Sequence, residues 1–524
     1  MIFNSQTFAQ DFKSGFFVFL LALPLCLGIS IASGFPPIAG IYTAVIGGIF
    51  GSLLGSARLT IKGPAAGLIV IVIGAVTELG MGDPVMGYKK TLAVGVVAAI
   101  IQIIFGFSKA GIIGEIIPKS VVHGMLSAIG VIIIAKQCHN ILGVVPVSKS
   151  PIALLGEFPT HILGLNPEVA IIGVITLLFL IFWPKFAKGK LKAIPAAILA
   201  LAASMTLGSI FDFENAHNYE FLNTNYHVDS SFLINLPSSF FSAFAFPDWS
   251  SITSWISIKY IVMLSLVGSI ESLLTVNAVD GMDPEKKSSN LNQDLIATGA
   301  GNLLASLVGG LPMISEIVRS RANIDNGAKT AQSNFIHGCL LLVSVALFPN
   351  ILHMIPSATL AAMLVFTGFR LASPNEFSHT YKIGVDQFSP FMVTFLITLS
   401  IDLLVGVIAG LVCQLILNLY HGMSFSDIFH VKHEAKEEGG ELTLKIYSPV
   451  GFTNSYSFKK TLLEKIPANS HIVIDFADSK LVEHSCFQMI ETIKKNHDQV
   501  SIKITGLDTH RSISEHSHST RYRK

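Results

Sequence analysis

Lys62-Gly63-Pro64-Ala65-Ala66-Gly67 and Gly309-Gly310-Leu311-Pro312-Met313-Ile314-Ser315-Glu316 are the two stretches on which the reading of this chain turns. Each opens an apolar run, 64–79 and 312–323, that is too short to cross about 30 Å of hydrocarbon as a helix. The second run also soon meets Arg319 and Arg321. The two prolines lie 248 positions apart, and so do Pro36 and Pro284, which follow the first long apolar run of each half. The spacing predicts an internal repeat, with halves at about 12–210 and 256–421, each of seven segments. An odd number of spans per half inverts the second half relative to the first.

Composition agrees with a membrane body. Of 524 residues, 51% are hydrophobic and 13% charged, at a mean hydropathy of +0.61. A soluble globule carries about a quarter charged residues and is excluded. The net charge of +1 offers no basic excess for a nucleic-acid partner. Fourteen apolar segments are expected between residues 12 and 421, making 1–423 one α-helical polytopic domain.

Charge is concentrated beyond it: residues 424–524 hold 14 of the 35 Lys and Arg and 13 of the 34 Asp and Glu. There the reading is a linker at 424–440, a water-soluble α/β domain at 441–508 and a loosely ordered polar tail at 509–524. Lys185, Lys188, Lys190 and Lys192 crowd one loop and Lys286-Lys287 another, while 211–255 has no Lys or Arg. The lysine-rich loops face the cytoplasm, and an even number of spans then puts both termini there. Cys26, Cys138, Cys339, Cys413 and Cys486 are scattered and lack CxxC spacing, so they read as small packing residues. No signal peptide, Walker loop or HExxH motif is found.

Non-helical backbone at membrane depth is tolerated only where protein or a water-filled cavity satisfies it. Proline suits a helix's first turn, and the free amides of two facing helix starts form an anion site. The amides of Ala65, Ala66 and Gly67 are expected to face those of Met313, Ile314 and Ser315, with the Ser315 hydroxyl as a further donor. The expected cargo is a small anion.

Glu271 and Thr275 lie one turn apart on one face of an apolar helix, and a carboxylate at such depth is a functional candidate. They suit a Na⁺ or a proton entering with the anion. The competing reading is a static Lys62–Glu271 or Lys62–Glu316 pair that only neutralises buried charge. Gly47, Gly51 and Gly55 read as a helix-packing face. Asp402 reads as interfacial or as a helix cap, and Arg319, Arg321 and Lys329 as cytoplasmic anchors.

These motifs, in this order, resemble the sulfate permease (SulP) family of anion transporters. The resemblance rests on Ala22-Leu-Pro-Leu, Gly63-Pro64-Ala65-Ala66, Gly268-Ser-Ile-Glu271-Ser-Leu-Leu-Thr275, Gly309-Gly-Leu-Pro312 and Asp402-Leu-Leu-Val-Gly-Val. It implies a seven-plus-seven inverted repeat, a core domain rocking against a gate domain, and usually a dimer. It also implies anion binding between the third and tenth segments, at Ala65, Ala66, Met313, Ile314 and Ser315, and Na⁺ binding at Glu271 and Thr275. Met313-Ile314-Ser315-Glu316 departs from the Gly- and Thr-rich stretch of many members, and Lys62 is an unusual charge that would stand in for a bound cation.

The tail resembles a STAS domain, in which Ser485 matches a position phosphorylated in bacterial relatives. An ordinary helix cap is the alternative for Ser485. A STAS domain also implies a cytoplasmic protein partner.

The expected function is therefore secondary transport of a small inorganic anion across the cell inner (plasma) membrane, coupled to Na⁺ or H⁺ by alternating access, with no enzymatic activity and no cofactor beyond the coupling ion. Bicarbonate is the first expectation, sulfate the second and a small dicarboxylate the third. An uncoupled channel or exchanger and a membrane-anchored scaffold are the alternatives.

Overall fold

The computed structural model describes residues 5–523 apart from 149, 190, 192–193, 237–242, 439–440, 466–470 and 497–499. Lys190 and Lys192 of the expected cytoplasmic lysine cluster lie outside the described residues. The chain divides into two compact units: residues 1–111 with 130–370, and residues 112–129 with 371–524.

The first unit is helical. Among the described residues of the whole chain, seven helices are long and apolar enough to cross a membrane: Phe8–Ala32, Pro37–Leu54, Pro84–Phe107, Lys119–Ile141, Pro167–Phe186, Trp255–Asp280 and Leu403–Tyr420. Their starts follow from local chemistry. The Asp83 carboxylate accepts from the amides of Val85 and Met86 with Pro84 at the first position, and Asn290 accepts from Asn292 and Gln293 in the same way. Phe8–Ala32 packs against Gln332–Leu347 and Pro37–Leu54, and Leu291–Val308 packs against Pro84–Phe107.

Sequence reading did not anticipate the helix Pro151–Leu163 or the hairpin of His217–Phe221 with Thr224–Val228. Both lie between apolar runs and carry no spanning signal. Beside the expected glycine face of Gly47, Gly51 and Gly55, a second close approach lies one residue on. Gly48, against Gly338, makes the close approach of Pro37–Leu54 to Gln332–Leu347, where an added Cβ would come within 2.6 Å of the Gly338 Cα.

At the centre of this unit the backbone is extended. Ile61–Pro64 pairs antiparallel with Met313–Glu316 in the register Ile61↔Glu316, Lys62↔Ser315, Gly63↔Ile314 and Pro64↔Met313. Each strand uses the other to satisfy backbone groups that lipid would leave unpaired. Pro64 ends its strand and Pro312 immediately precedes the other, positions where a missing N–H costs no ladder bond. A short helical turn at Ala66–Leu68 leads into the helix Ile69–Gly80, and the helix Ile317–Asp325 follows the second strand.

The second unit combines the helices Pro374–Ile383, Val385–Ser400 and Leu403–Tyr420 with a mixed sheet. The sheet orders His433–Glu438, Glu441–Ile446, His471–Asp475 and Ser501–Thr505, antiparallel at the first pair and parallel thereafter. Helices Ser455–Lys465 and His484–Asn496 complete the expected alternation. Leu444, Ile446, Phe458, Ile474, Phe476 and Cys486 form its core.

Two expectations are corrected here. Residues 433–438 of the expected linker are the edge strand, because their backbone pairs antiparallel with Glu441–Ile446. The tail is not loose: Arg511–Ser512 pairs with Arg521–Tyr522, which pairs with Leu481–Val482. The Thr520 hydroxyl donates to Asp386 at 2.5 Å and the Ser514 hydroxyl to the Ile383 carbonyl at 2.6 Å.

Ser485 is not a helix cap. It is the second residue of its helix and its Oγ is buried. The residue before the helix is Glu483, whose carboxylate accepts from the Phe452 amide at 2.6 Å and from Asn418 at 2.9 Å. Asp402 is a cap, accepting from the Leu404 amide at 2.8 Å.

Candidate functional site

The two crossing strands gather the buried charges. Contrary to expectation, Met313, Ile314 and Ser315 are strand residues, and the tenth segment becomes helical only at Ile317. Their amides are not a helix N-terminus. The Met313 amide donates to Asn302 Oδ1 at 2.5 Å and the Ser315 amide to Ser272 Oγ at 3.2 Å. The physical reason is tertiary: Ile61–Pro64 lies alongside and takes up these residues as an antiparallel partner.

On the other strand the Ala65 amide donates to the Pro312 carbonyl at 3.4 Å, and the Ala66 amide donates to Glu316 Oε1 at 3.3 Å. Gly67 lies directly against the Glu271 carboxylate, so that a Cβ there would collide with both oxygens. The expected amide cradle therefore exists only on the third-segment side, and two carboxylates face it. Helix starts attract negative charge, which accounts for that placement.

Glu271 is 5% exposed and neither of its oxygens has a hydrogen-bond partner among the described residues. Thr275 is buried on the same helix but makes no hydrogen bond to Glu271. Ser272, between them, donates to Ser315 Oγ at 3.3 Å and ties this helix to the second strand.

Lys62 pairs with neither glutamate. Its ammonium donates to Asp294 Oδ2 at 2.7 Å, Ser315 Oγ at 3.0 Å and Thr298 Oγ1 at 3.1 Å. Both partners of the ion pair are 1% exposed. This replaces the expected Lys62–Glu271 or Lys62–Glu316 pair, because the strand turns Lys62 toward Leu291–Val308. Gly47, Gly51 and Gly55 also acquire a role beyond packing: they line the stem of Lys62 and the carboxylate of Asp294.

Sequence reading missed Asp294, Thr298 and Asn302. The signal is present, since Asp294, Thr298, Asn302 and Ser306 recur every four residues and so stack on one face of their helix. Asn302 clamps the strand edge through the Met313 amide and, by Nδ2, the Met313 carbonyl at 3.1 Å.

Arg319 also departs from expectation. It is not a cytoplasmic anchor but one of the largest fully buried side chains, at 1% exposure. Its Nη1 donates to Cys26 Sγ at 3.5 Å, so Cys26 is more than a packing residue, while Nε and Nη2 have no partner among the described residues. Gly63 makes this possible, since a Cβ there would run into Nη1. Arg319 attracts Glu316, and it also acts on His337, a fully buried imidazole. Arg321, by contrast, is exposed and pairs with Asp325 at 2.9 Å. A guanidinium is charged at any accessible pH and offers a planar fork of donors. Two such donors held without a partner in the interior are suited to an anion's oxygens, because a buried charge without hydrogen bonds is costly.

Comparison with known proteins places these residues in a family context. The model of the sulfate permease family matches residues 8–394. YvdB of Bacillus subtilis (strain 168), a protein named for sulfate transport, is 27% identical over 73% of this chain and 68% of its own length. The bicarbonate transporter BicA of Picosynechococcus sp. is 27% identical over 68% of this chain, which spans 61% of that relative. The solved structure of SLC26A9 superposes with a TM-score of 0.69 at 14% identity, over 95% of this chain and 83% of that one, and so shares the fold.

Proposed function

The chain belongs to the sulfate permease family, whose members matched here are transporters and not enzymes, and on that premise we propose that it carries a small inorganic anion together with one monovalent cation by alternating access. The observation that carries this reading is Glu271, a buried carboxylate without a partner among the described residues, beside the two paired strands. With Lys62 committed to Asp294, no static lysine pair neutralises it. A Na⁺ or proton on Glu271 removes the charge, after which the loaded site crosses an apolar gate at lower cost. The anion then sits near the free Nε and Nη2 donors of Arg319 and the first-turn amides at Ala66 and Gly67.

Bicarbonate is the first choice of anion, sulfate the second and a small dicarboxylate the third. The seven-plus-seven inverted repeat, a homodimer, cytoplasmic termini and a C-terminal STAS domain with a protein partner belong to the same proposal. The antiparallel pairing of two proline-marked strands, one from each half, supports the repeat. The sheet of residues 433–505 with its two helices supports the STAS assignment. Uptake into proteoliposomes of bicarbonate, sulfate and fumarate, with Na⁺ and pH gradients imposed separately, tests the function. Concentrative uptake of one of them under one gradient is expected, and uptake that never exceeds equilibration refutes coupling.

A further inference from the structure

The surroundings of the Lys62 ammonium are those of a bound ion. One carboxylate oxygen and two hydroxyls take all three of its protons, at 2.7, 3.0 and 3.1 Å. The ligands come from separate pieces of chain: Asp294 and Thr298 sit one turn apart on Leu291–Val308, and Ser315 is the cross-strand neighbour of Lys62. Thr298 Oγ1 is oriented by donating to the Asp294 carbonyl at 2.9 Å, and Ser315 Oγ by its contact with Ser272.

The stem reaches this cage through a slot of absent side chains. A Cβ at Gly47 would lie 3.1 Å from the Lys62 Cβ, and one at Gly51 would lie 2.6 Å from Cδ and 3.4 Å from Cε. A Cβ at Gly55 would lie 3.1 Å from Asp294 Oδ1. Small hard cations draw oxygens closer, to about 2.0–2.1 Å for Mg²⁺ and about 2.3–2.6 Å for Ca²⁺. The cage is sized for an ammonium.

We propose that the Lys62 ammonium is a tethered resident cation, filling a monovalent-cation site formed by Asp294, Thr298 and Ser315 that accepts a free primary ammonium once the tether is cut. The positive charge that holds the crossing strands to Leu291–Val308 then travels with the protein and needs no ion from solution. This inference stands whichever anion is carried.

Lys62→Ala removes Cγ, Cδ, Cε and Nζ, and n-propylammonium has the same atoms. The full chain in detergent is heated at a fixed rate in choline chloride, n-propylammonium chloride or tetramethylammonium chloride of equal ionic strength, near neutral pH. Lys62→Ala is expected to unfold earlier than wild type in choline. Its midpoint should rise with n-propylammonium, saturably, by mass action on the folded state. Tetramethylammonium, which has no N–H and exceeds the slot, should do nothing, and wild type should respond to neither. Lys62→Ala combined with Asp294→Asn, which has no charge to compensate, should be insensitive to both.

The proposal is overturned if Lys62→Ala does not respond to n-propylammonium, responds equally to tetramethylammonium, or responds no more than wild type. Failure to recover folded Lys62→Ala from membranes solubilised in n-propylammonium also overturns it, whatever the double variant does.

Discussion

Replacing Glu271 by glutamine removes one charge and keeps the shape. Lys62 and Asp294 cancel at 2.7 Å, Arg319 and Glu316 attract one another, and both oxygens of Glu271 lack a partner. On the proposed reading, one carboxylate without a partner among the described residues corresponds to one monovalent cation per anion. For a monovalent anion the pair moves no net charge, so the cation gradient alone sets accumulation. A tenfold inward gradient supplies about 1.4 kcal/mol and sustains about a tenfold anion gradient. Glu271→Gln has nothing to neutralise, and it is expected to equilibrate the anion without concentrating it, while exchange of labelled for unlabelled anion continues. The variant also avoids an unpaired charge worth roughly 2.5–3.5 kcal/mol at the centre of a span. Its thermal midpoint should therefore not fall, and should no longer respond to the coupling ion. The assay is uptake of radiolabelled bicarbonate and sulfate into proteoliposomes under separate Na⁺ and pH gradients. Accumulation by Glu271→Gln at the wild-type level would refute the reasoning.

Three further outcomes are expected. Asp294→Asn strands the Lys62 ammonium in the interior and should cost about 3–5 kcal/mol. Lys62→Met with Asp294→Leu should recover most of the lost stability, as read by thermal unfolding in detergent. Gly67→Ala drives a methyl into the Glu271 carboxylate, with an overpacking cost of about 1–3 kcal/mol. It should abolish concentrative uptake, and Glu271→Asp in the same chain should restore part of it.

The C-terminal domain carries opposed pH dependences. Burial pushes the Glu483 carboxyl up to about 7 and the His484 imidazole down to about 4. The folded state therefore binds a proton at Glu483 that the unfolded state releases above the ordinary glutamate value, so this group lowers stability as pH rises toward 7. His484 is protonated more readily when unfolded, so it raises stability as pH rises from about 4 to its ordinary value. The two slopes offset one another in wild type. Glu483→Gln should unmask a stability that climbs between about pH 4 and 6.5, measured as the unfolding midpoint against pH, and a flat profile in that variant would contradict the assignment.

The helices of the membrane body were legible because their signal is local. A run of apolar residues announces its own helix, and Asp402 reads as a cap where the structure has one. The α/β character of the C-terminal region was legible for the same reason, and the helix Ser455–Lys465 and the strand Ser501–Thr505 fall inside the expected bounds of 441–508. What failed depends on partners remote in sequence. The strand Met313–Glu316 exists because Ile61–Pro64 lies beside it, 253 positions away at the Lys62↔Ser315 pair. Nothing in Arg319 itself distinguishes an interfacial arginine from one buried beneath Gly63 and Cys26. The polar tail reads as solvated until Asp386 and Leu481–Val482 supply the groups that order it.

The sequence by itself determined that this is a polytopic membrane protein with a charge-rich C-terminal region, and it marked the two interrupted segments and Glu271 as the place where chemistry would lie. Hydrophobic period, proline and charge scarcity are properties of neighbouring residues, and they survive without a fold. Only the tertiary structure decided which charges meet there: Lys62 pairs with Asp294, while Glu271 has no partner among the described residues. Ion pairing falls off within a few ångströms and is set by the direction each side chain takes from its strand or helix, so it is fixed by register and packing and not by position along the chain.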